Sequence, residues 1–221
     1  MPPSMRRDAE TNLRRVLGAA AEVFAAEGLG ATLADVARHA GVGVGTVYRR
    51  FANKDDLIYE VYQAKIRETE QQARQASEAD DAWAAFVRLF KQSIRDLAAD
   101  KGLCELTTGG FTQSLGWARG TPPARLAALL RENQEAMGVH LVKLVQRAKQ
   151  AGELREDFDA GDMMVLSAAV QATIAFGGSE YPQVSQRTLG FILDGLRPAG
   201  ASSLPAPPLT EDDLARLRHR L

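Results

Sequence analysis

The chain of 221 residues has a single cysteine, Cys104, so no intrachain disulfide can form and a reducing, cytoplasmic setting is expected. Cys104 itself reads as a small buried hydrophobe. Histidine is nearly as scarce. His39, His140 and His219 have no cysteine or second histidine at metal spacing, so neither a zinc site nor any other cofactor is expected. No nucleophile constellation stands out, and the chain is not expected to be an enzyme. The acidic pairs Asp80-Asp81 and Glu156-Asp157 fall at helix ends, where they complement the helix dipole. The run GVGVG at 41–45 is not a phosphate loop, because no strand precedes it and no Gly-Lys-Ser/Thr follows. Long hydrophobic runs are missing too. The longest uncharged stretch, Met163 to Ser179, is interrupted by Ser167, Gln171 and Thr173 and is too short and polar to span a membrane. The opening MPPSMRRDAE has no apolar h-region, so a signal peptide is not expected. Charge of one sign is also lacking, since the net charge is −1. Its distribution is uneven: residues 1–54 carry eight Lys/Arg against five Asp/Glu, and the rest nineteen against twenty-three. A small basic head on an acidic body suits a protein that meets nucleic acid at one end.

Alternating strand patterns are almost absent, and the chain reads as all-α. Leu13, Val16, Leu17, Ala20, Val23 and Phe24 form one stripe, closed by Gly28. A long helix from about Lys54 to Ala76 buries Leu57, Ile58, Val61, Tyr62 and Ile66. Trp83, Phe86, Val87, Phe90, Ile94 and Leu97 mark the next, and Leu103 to about Thr112 a weaker one. Gln113–Gly120 reads as a loop, and Thr121-Pro122 opens a long helix in the favoured cap-then-proline order, closed by Gly152. Further helices run from about Ala160 to Phe176 and Gln183 to Leu196. Pro198–Pro208 reads as a linker, and Thr210 caps a last short helix. These breaks suggest three spans: 1–53, 54–197, and 198–221.

Residues 32–57, TLADVARHAGVGVGTVYRRFANKDDL, carry the functional signal. Thr32 with Asp35 three residues on makes a capping box. Leu33, Val36 and Ala37 follow at helical spacing, and Gly41 tolerates the left-handed conformation of a sharp helix–helix turn. A second short helix, about Val44 to Phe51, puts Val47 and Phe51 on an apolar face and Thr46, Arg49 and Arg50 opposite, with Tyr48 nearby. Asn53 with Asp56 caps the next helix. Two arginines suit bidentate contact with guanine or phosphate. Thr46 and Tyr48 offer hydroxyls, and Lys54 adds charge beside free amides. Gly43 and Gly45 keep the helix entry slim. Helix pairs of this shape also occur in proteins that never touch DNA, so a head that contacts another protein is the alternative. A small all-helical enzyme is a more distant one.

The stretch from Leu13 to Tyr59 resembles the DNA-binding domain of the TetR/AcrR family of bacterial transcriptional regulators. The pieces that carry the resemblance are LRRVLGAAAEVFAAEG, ATLADVARHAGV and GTVYRRF-ANKDDL. Gly43 departs from the pattern, since the family often has serine or another capping residue there. The resemblance implies an N-terminal three-helix helix-turn-helix domain and a C-terminal helical ligand-binding and dimerisation domain. Thr32, Val44, Gly45, Thr46, Tyr48, Arg49, Arg50 and Lys54 would then meet double-stranded operator DNA. It implies a homodimer formed by the last two long helices, for which Leu166, Val170, Thr173, Ile174, Leu189, Ile192, Leu193 and Leu196 are the candidates. Small residues (Ala168, Ala169, Ala172, Ala175, Gly177) would let the copies approach closely. It further implies a chamber for a small, mostly apolar effector, with Phe86, Phe90, Phe111, Trp117, Met137, His140, Leu141, Leu144 and Met163 as candidates, although such side chains also serve as plain core. Repression of a palindromic site, relieved by effector through a shift of the long linking helix, is the family-level expectation.

Overall fold

The structure is a computed structural model that describes residues 3–108, 124–177, 180–210 and 213. Among the described residues it is all-α, with nine helices and no strand. They are α1 (Pro3–Glu27), α2 (Leu33–Ala40), α3 (Val44–Arg50), α4 (Lys54–Glu78), α5 (Ala82–Ala99), α6 (Lys101–Thr108), α7 (Ala124–Gln150), α8 (Asp162–Gly177) and α9 (Gln183–Gly195). The expected Gln113–Gly120 loop, the Thr121-Pro122 helix start and most of the last short helix lie outside the described residues. No helix among those described is long and apolar enough to cross a membrane.

Two compact units divide the chain. One takes Met1–Arg67 with Ala99–Arg131, the other Glu68–Ala98 with Glu132–Leu221. The first unit therefore keeps the front of α4, all of α6 and the start of α7 alongside the helix pair. Its core gathers Val23, Phe24 and Leu29, Val36 of α2, Val47 of α3, Leu57, Ile58 and Tyr62 of α4, and Leu103 of α6, all buried. Side chains of this kind each contribute roughly 1.5–3 kcal/mol on burial.

Asp100 is the polar centre of that unit. Its Oδ1 accepts from the Tyr62 hydroxyl at 2.8 Å and from Leu103 N at 2.9 Å, and its Oδ2 accepts from Lys65 Nζ at 2.8 Å. A buried carboxylate is tolerable only with such compensation. Burial first, and then the bond to Asp100, pushes the Tyr62 phenol well above its usual range. Gly102 makes the approach possible, because a Cβ there would collide with the Tyr62 hydroxyl and lie 3.0 Å from the Phe24 carbonyl. One turn on, Glu105 Oε2 accepts from Leu29 N at 2.7 Å and closes the corner after α1.

The second unit is built on an aromatic cluster. Phe86 stacks on Trp83 at 5.7 Å, meets Phe158 edge-on at 5.7 Å, and tilts against Phe90 at 6.1 Å. Such pairs add about 0.5–1.5 kcal/mol beyond simple burial. Leu144, Val145 and Ala148 of α7, Met163 and Val170 of α8, and Leu193 and Leu196 complete the core. After α9, Arg155 ties down the expected linker by donating to the carbonyls of Gly195 at 3.2 Å and Ser202 at 2.6 Å.

Candidate functional site

The helix pair forms as its sequence dictates. Thr32 Oγ1 accepts from Asp35 N at 3.2 Å while Asp35 Oδ2 accepts from Thr32 N at 2.9 Å, a complete capping box. Bonds from Thr32 to its carboxylate hold the Asp35 acid below the ordinary range. Gly41, at φ 64°, ends α2 in the left-handed region that glycine enters without strain. Gly43 opens α3 with no side-chain cap. Asn53 Oδ1 accepts from Asp56 N at 2.8 Å and starts α4.

Only Val47 anchors α3 to the core along its length, and it is 0% exposed. Tyr48 on the other side is 58% exposed, and Val44, Gly45, Arg49 and Arg50 are also exposed, with Thr46 half-buried. Arg49 Nη2 reaches back to Thr46 Oγ1 at 3.4 Å. Among the described residues neither Arg49 nor Arg50 forms an ion pair, so no acid neutralises either guanidinium there. Arg38, by contrast, is paired with Asp35 at 2.8 Å. Lys54 stands at the first position of α4 and is half-buried. Desolvation pulls its ammonium below the usual lysine range, against the pull of Asp55, Glu105 and Asp35. The expected DNA-contacting residues thus gather at the helix pair, with the hydroxyl of Thr32 already committed to its cap.

Three stabilising contacts here went unread in the sequence. Arg15 Nη2 donates to the Ala40 carbonyl at 2.8 Å, satisfying a free carbonyl at the end of α2. His39 Nε2 lies 2.6 Å from Glu22 Oε2, joining α2 to α1, and Glu105 joins α6 to Leu29. Each partner is remote along the chain, and periodicity carries no signal for such pairs.

The expected effector residues divide into groups. Phe86, Phe90, Leu144 and Met163 are buried in the packed core, with Leu141 against it, rather than at an open wall. Met137 and His140 are half-buried on α7, and His140 lies against Ser77 and Glu70 of α4. Phe111 and Trp117 lie outside the described residues. An open cleft of about 540 Å³ occurs elsewhere, between Lys149, residues 156–159 and residues 203–208, and includes none of them.

Most of the expected dimer residues pack in or against the core of the single chain. Val170, Leu193 and Leu196 are buried core, and Leu166, Ile174, Leu189 and Ile192 pack against it, while Thr173 is half-buried and donates to the Val170 carbonyl at 2.7 Å. The outward apolar face is a different one. Phe176 is 87% and Phe191 66% exposed, with Val165, Ala168, Ala169, Ala172 and Ala175 also open. Gly177, expected among the small residues of the contact, is instead buried against Val184. The cause is that α8 is apolar on all sides, so its sequence has no phase to tell inner from outer.

Comparison with known proteins agrees with this geometry. Residues 16–61 match the family model described as "Bacterial regulatory proteins, tetR family". Residues 78–198 match "Transcriptional regulator SbtR-like, C-terminal domain". A curated relative, the HTH-type transcriptional regulator SAUSA300_2515 of Staphylococcus aureus, is 40% identical over 63 residues, 28% of this chain and 34% of the relative. The chain thus spans about a third of the length of that relative. The solved TetR transcription regulatory protein from Mycobacterium vanbaalenii is 31% identical with a TM-score of 0.50, covering 87% of this chain and 99% of that one. FadR from Bacillus subtilis, solved with stearoyl-CoA, shares the fold at a TM-score of 0.57 and 21% identity, over 84% of this chain and 100% of the other.

Proposed function

The chain belongs to the TetR family of bacterial regulatory proteins, and on that premise we propose that it is a ligand-responsive repressor that binds a palindromic operator as a homodimer. One observation carries this reading: a short helix pinned by Val47 presents Tyr48, Arg49 and Arg50 outward, with neither arginine paired to an acid among the described residues. Thr46, Arg49 and Arg50 read base edges in the major groove, Val44 and Gly45 let the helix entry approach the backbone, and Tyr48, Lys54 and the Thr32 end of α2 meet phosphates. A single short helix reads few base pairs. Two copies about 34 Å apart read successive major grooves of a symmetric site.

The second copy docks on the outward face of α8 and α9, where Phe176 and Phe191 stand exposed beside a row of alanines. Effector binds within the helical unit on the α4–α7 side, around Met137 and His140. The stearoyl-CoA held by FadR, a fold neighbour, lends support to a ligand with an apolar body. Displacement of α4 by that ligand weakens operator binding. A coupling of about 1–3 kcal/mol, 5- to 150-fold, suffices for a switch.

The test is operator selection from genomic DNA followed by titration at several salt concentrations. Arg49→Ala and Arg50→Ala should each cost about 1–3 kcal/mol at the preferred site and relax base preference there. Affinity should fall with salt at a slope of about −0.9 per phosphate neutralised. Unchanged affinity in both variants, with no salt dependence, would sink the assignment of α3 as the reading helix.

A further inference from the structure

The seam between α4 and α7 in the second unit is polar where a core would be apolar. Asn133, Met137 and His140 share a face of α7. Across from them α4 supplies Thr69, Glu70 and Ser77. Asn133 Nδ2 donates to Thr69 Oγ1 at 3.2 Å and lies 3.4 Å from Met137 Sδ. Sulfur accepts and cannot donate here, which favours nitrogen at that end of the amide. The other end, Asn133 Oδ1, is shut off from solvent and has no hydrogen-bond partner among the described residues. A buried carbonyl left unpaired is costly, and such groups normally find a donor.

Two turns along α7, Glu70 Oε1 lies 3.6 Å from His140 Nε2, too far for a hydrogen bond, and His140 Nδ1 is 3.5 Å from Ser77 Oγ. Ser77 Oγ itself donates to the Arg74 carbonyl at 2.8 Å. The cation further along this face, Arg147, spends its guanidinium on the carbonyls of Ser77 at 2.9 Å and Asp80 at 3.3 Å. The wall therefore offers acceptors in Asn133 Oδ1 and in the Glu70 carboxylate beside His140, and His140 stands about 10 Å along α7 from Asn133 at 1.5 Å rise per residue. That span is within reach of one small molecule, with the soft thioether of Met137 between.

We propose that this wall is the polar subsite of the effector, and that it selects a neutral or cationic ligand that donates an O–H or N–H to Asn133 Oδ1. A carboxylate or phosphate ligand is disfavoured, because it would bring no donor to Asn133 and a like charge to Glu70. The proposal rests on the effector reading above. Four probes of one size separate the cases: phenol and benzylamine, which donate, and anisole and benzoate, which do not. Thermal midpoints of the full chain are measured with each at equal millimolar concentration. Phenol and benzylamine should raise the midpoint more than anisole and benzoate. Asn133→Leu should erase the preference for phenol over anisole. Glu70→Gln should shrink the benzylamine shift and enlarge that of benzoate, and it serves if the first variant fails to fold. Equal shifts from phenol and anisole, as when water satisfies the carbonyl, overturn the proposal. So does the lack of any shift, or a preference that survives both substitutions. Operator binding by the wild-type protein without probes is scored separately. Binding retained without probe preference removes only the subsite, whereas no binding removes the regulator reading itself.

Discussion

Gly102 and Thr32 illustrate two kinds of dependence on single residues. A Cβ at Gly102 would meet the Tyr62 hydroxyl, which is held by Asp100, and the backbone carbonyl of Phe24. Gly102→Ala should therefore destabilise by about 1–3 kcal/mol, as overpacking does, seen as a lower urea midpoint. Thr32→Ala should cost about 1 kcal/mol, the usual worth of an N-cap, and should return the Asp35 acid toward its ordinary value. With the folded value depressed, the Asp35 contribution is complete above the unfolded value. It disappears as pH falls through the lower folded one. NMR titration of Asp35 in both proteins checks this; equal values would refute it. The two sites also differ in how readable they are. Thr32 and Asp35 sit three positions apart, so composition and spacing reveal the cap. Tyr62 and Asp100 are 38 positions apart, and Leu29 and Glu105 are 76 apart. Only the folded chain brings such pairs together.

At the scale of elements, amphipathic helices declare their faces and uniform ones do not. In α2 and α3 the apolar residues recur on one side, and the positions expected to be buried, Leu33, Val36, Ala37, Val47 and Phe51, are buried. In α8 no polar side exists. Of the bulkier residues expected at the subunit contact, Val170 lies in the core of the single chain and Leu166 and Ile174 pack against it. The small residues expected to let the copies approach, Ala168, Ala169, Ala172 and Ala175, do face outward with Phe176. Phe176→Glu and Phe191→Glu should each weaken the dimer, because burying either ring is worth roughly 1.5–3 kcal/mol per copy, and a carboxylate there must be desolvated. Sedimentation velocity across a dilution series would register the shift toward monomer. Leu193→Ala, by contrast, should lower folding stability, since that side chain is already buried within one chain. If both glutamate variants sediment as the parent does, the outward face is not where the copies meet.

For the whole molecule, the helical character and the basic head were legible from patterning, whereas the compact units were not, because they do not follow the order of the sequence. The unit that contains α2 and α3 also recruits Ala99–Arg131 from far down the chain. Asp100 and Glu105 supply the stitches, holding Tyr62 and Leu29. This has a practical outcome for anyone exchanging DNA specificities between such regulators. A splice at residue 53 would transplant the proposed reading helix without Glu105, and would leave the amide of Leu29 facing a foreign α6. A graft that also carries residues 54–67 and 99–108 travels with its own braces, and a workable chimaera is expected only from the second design.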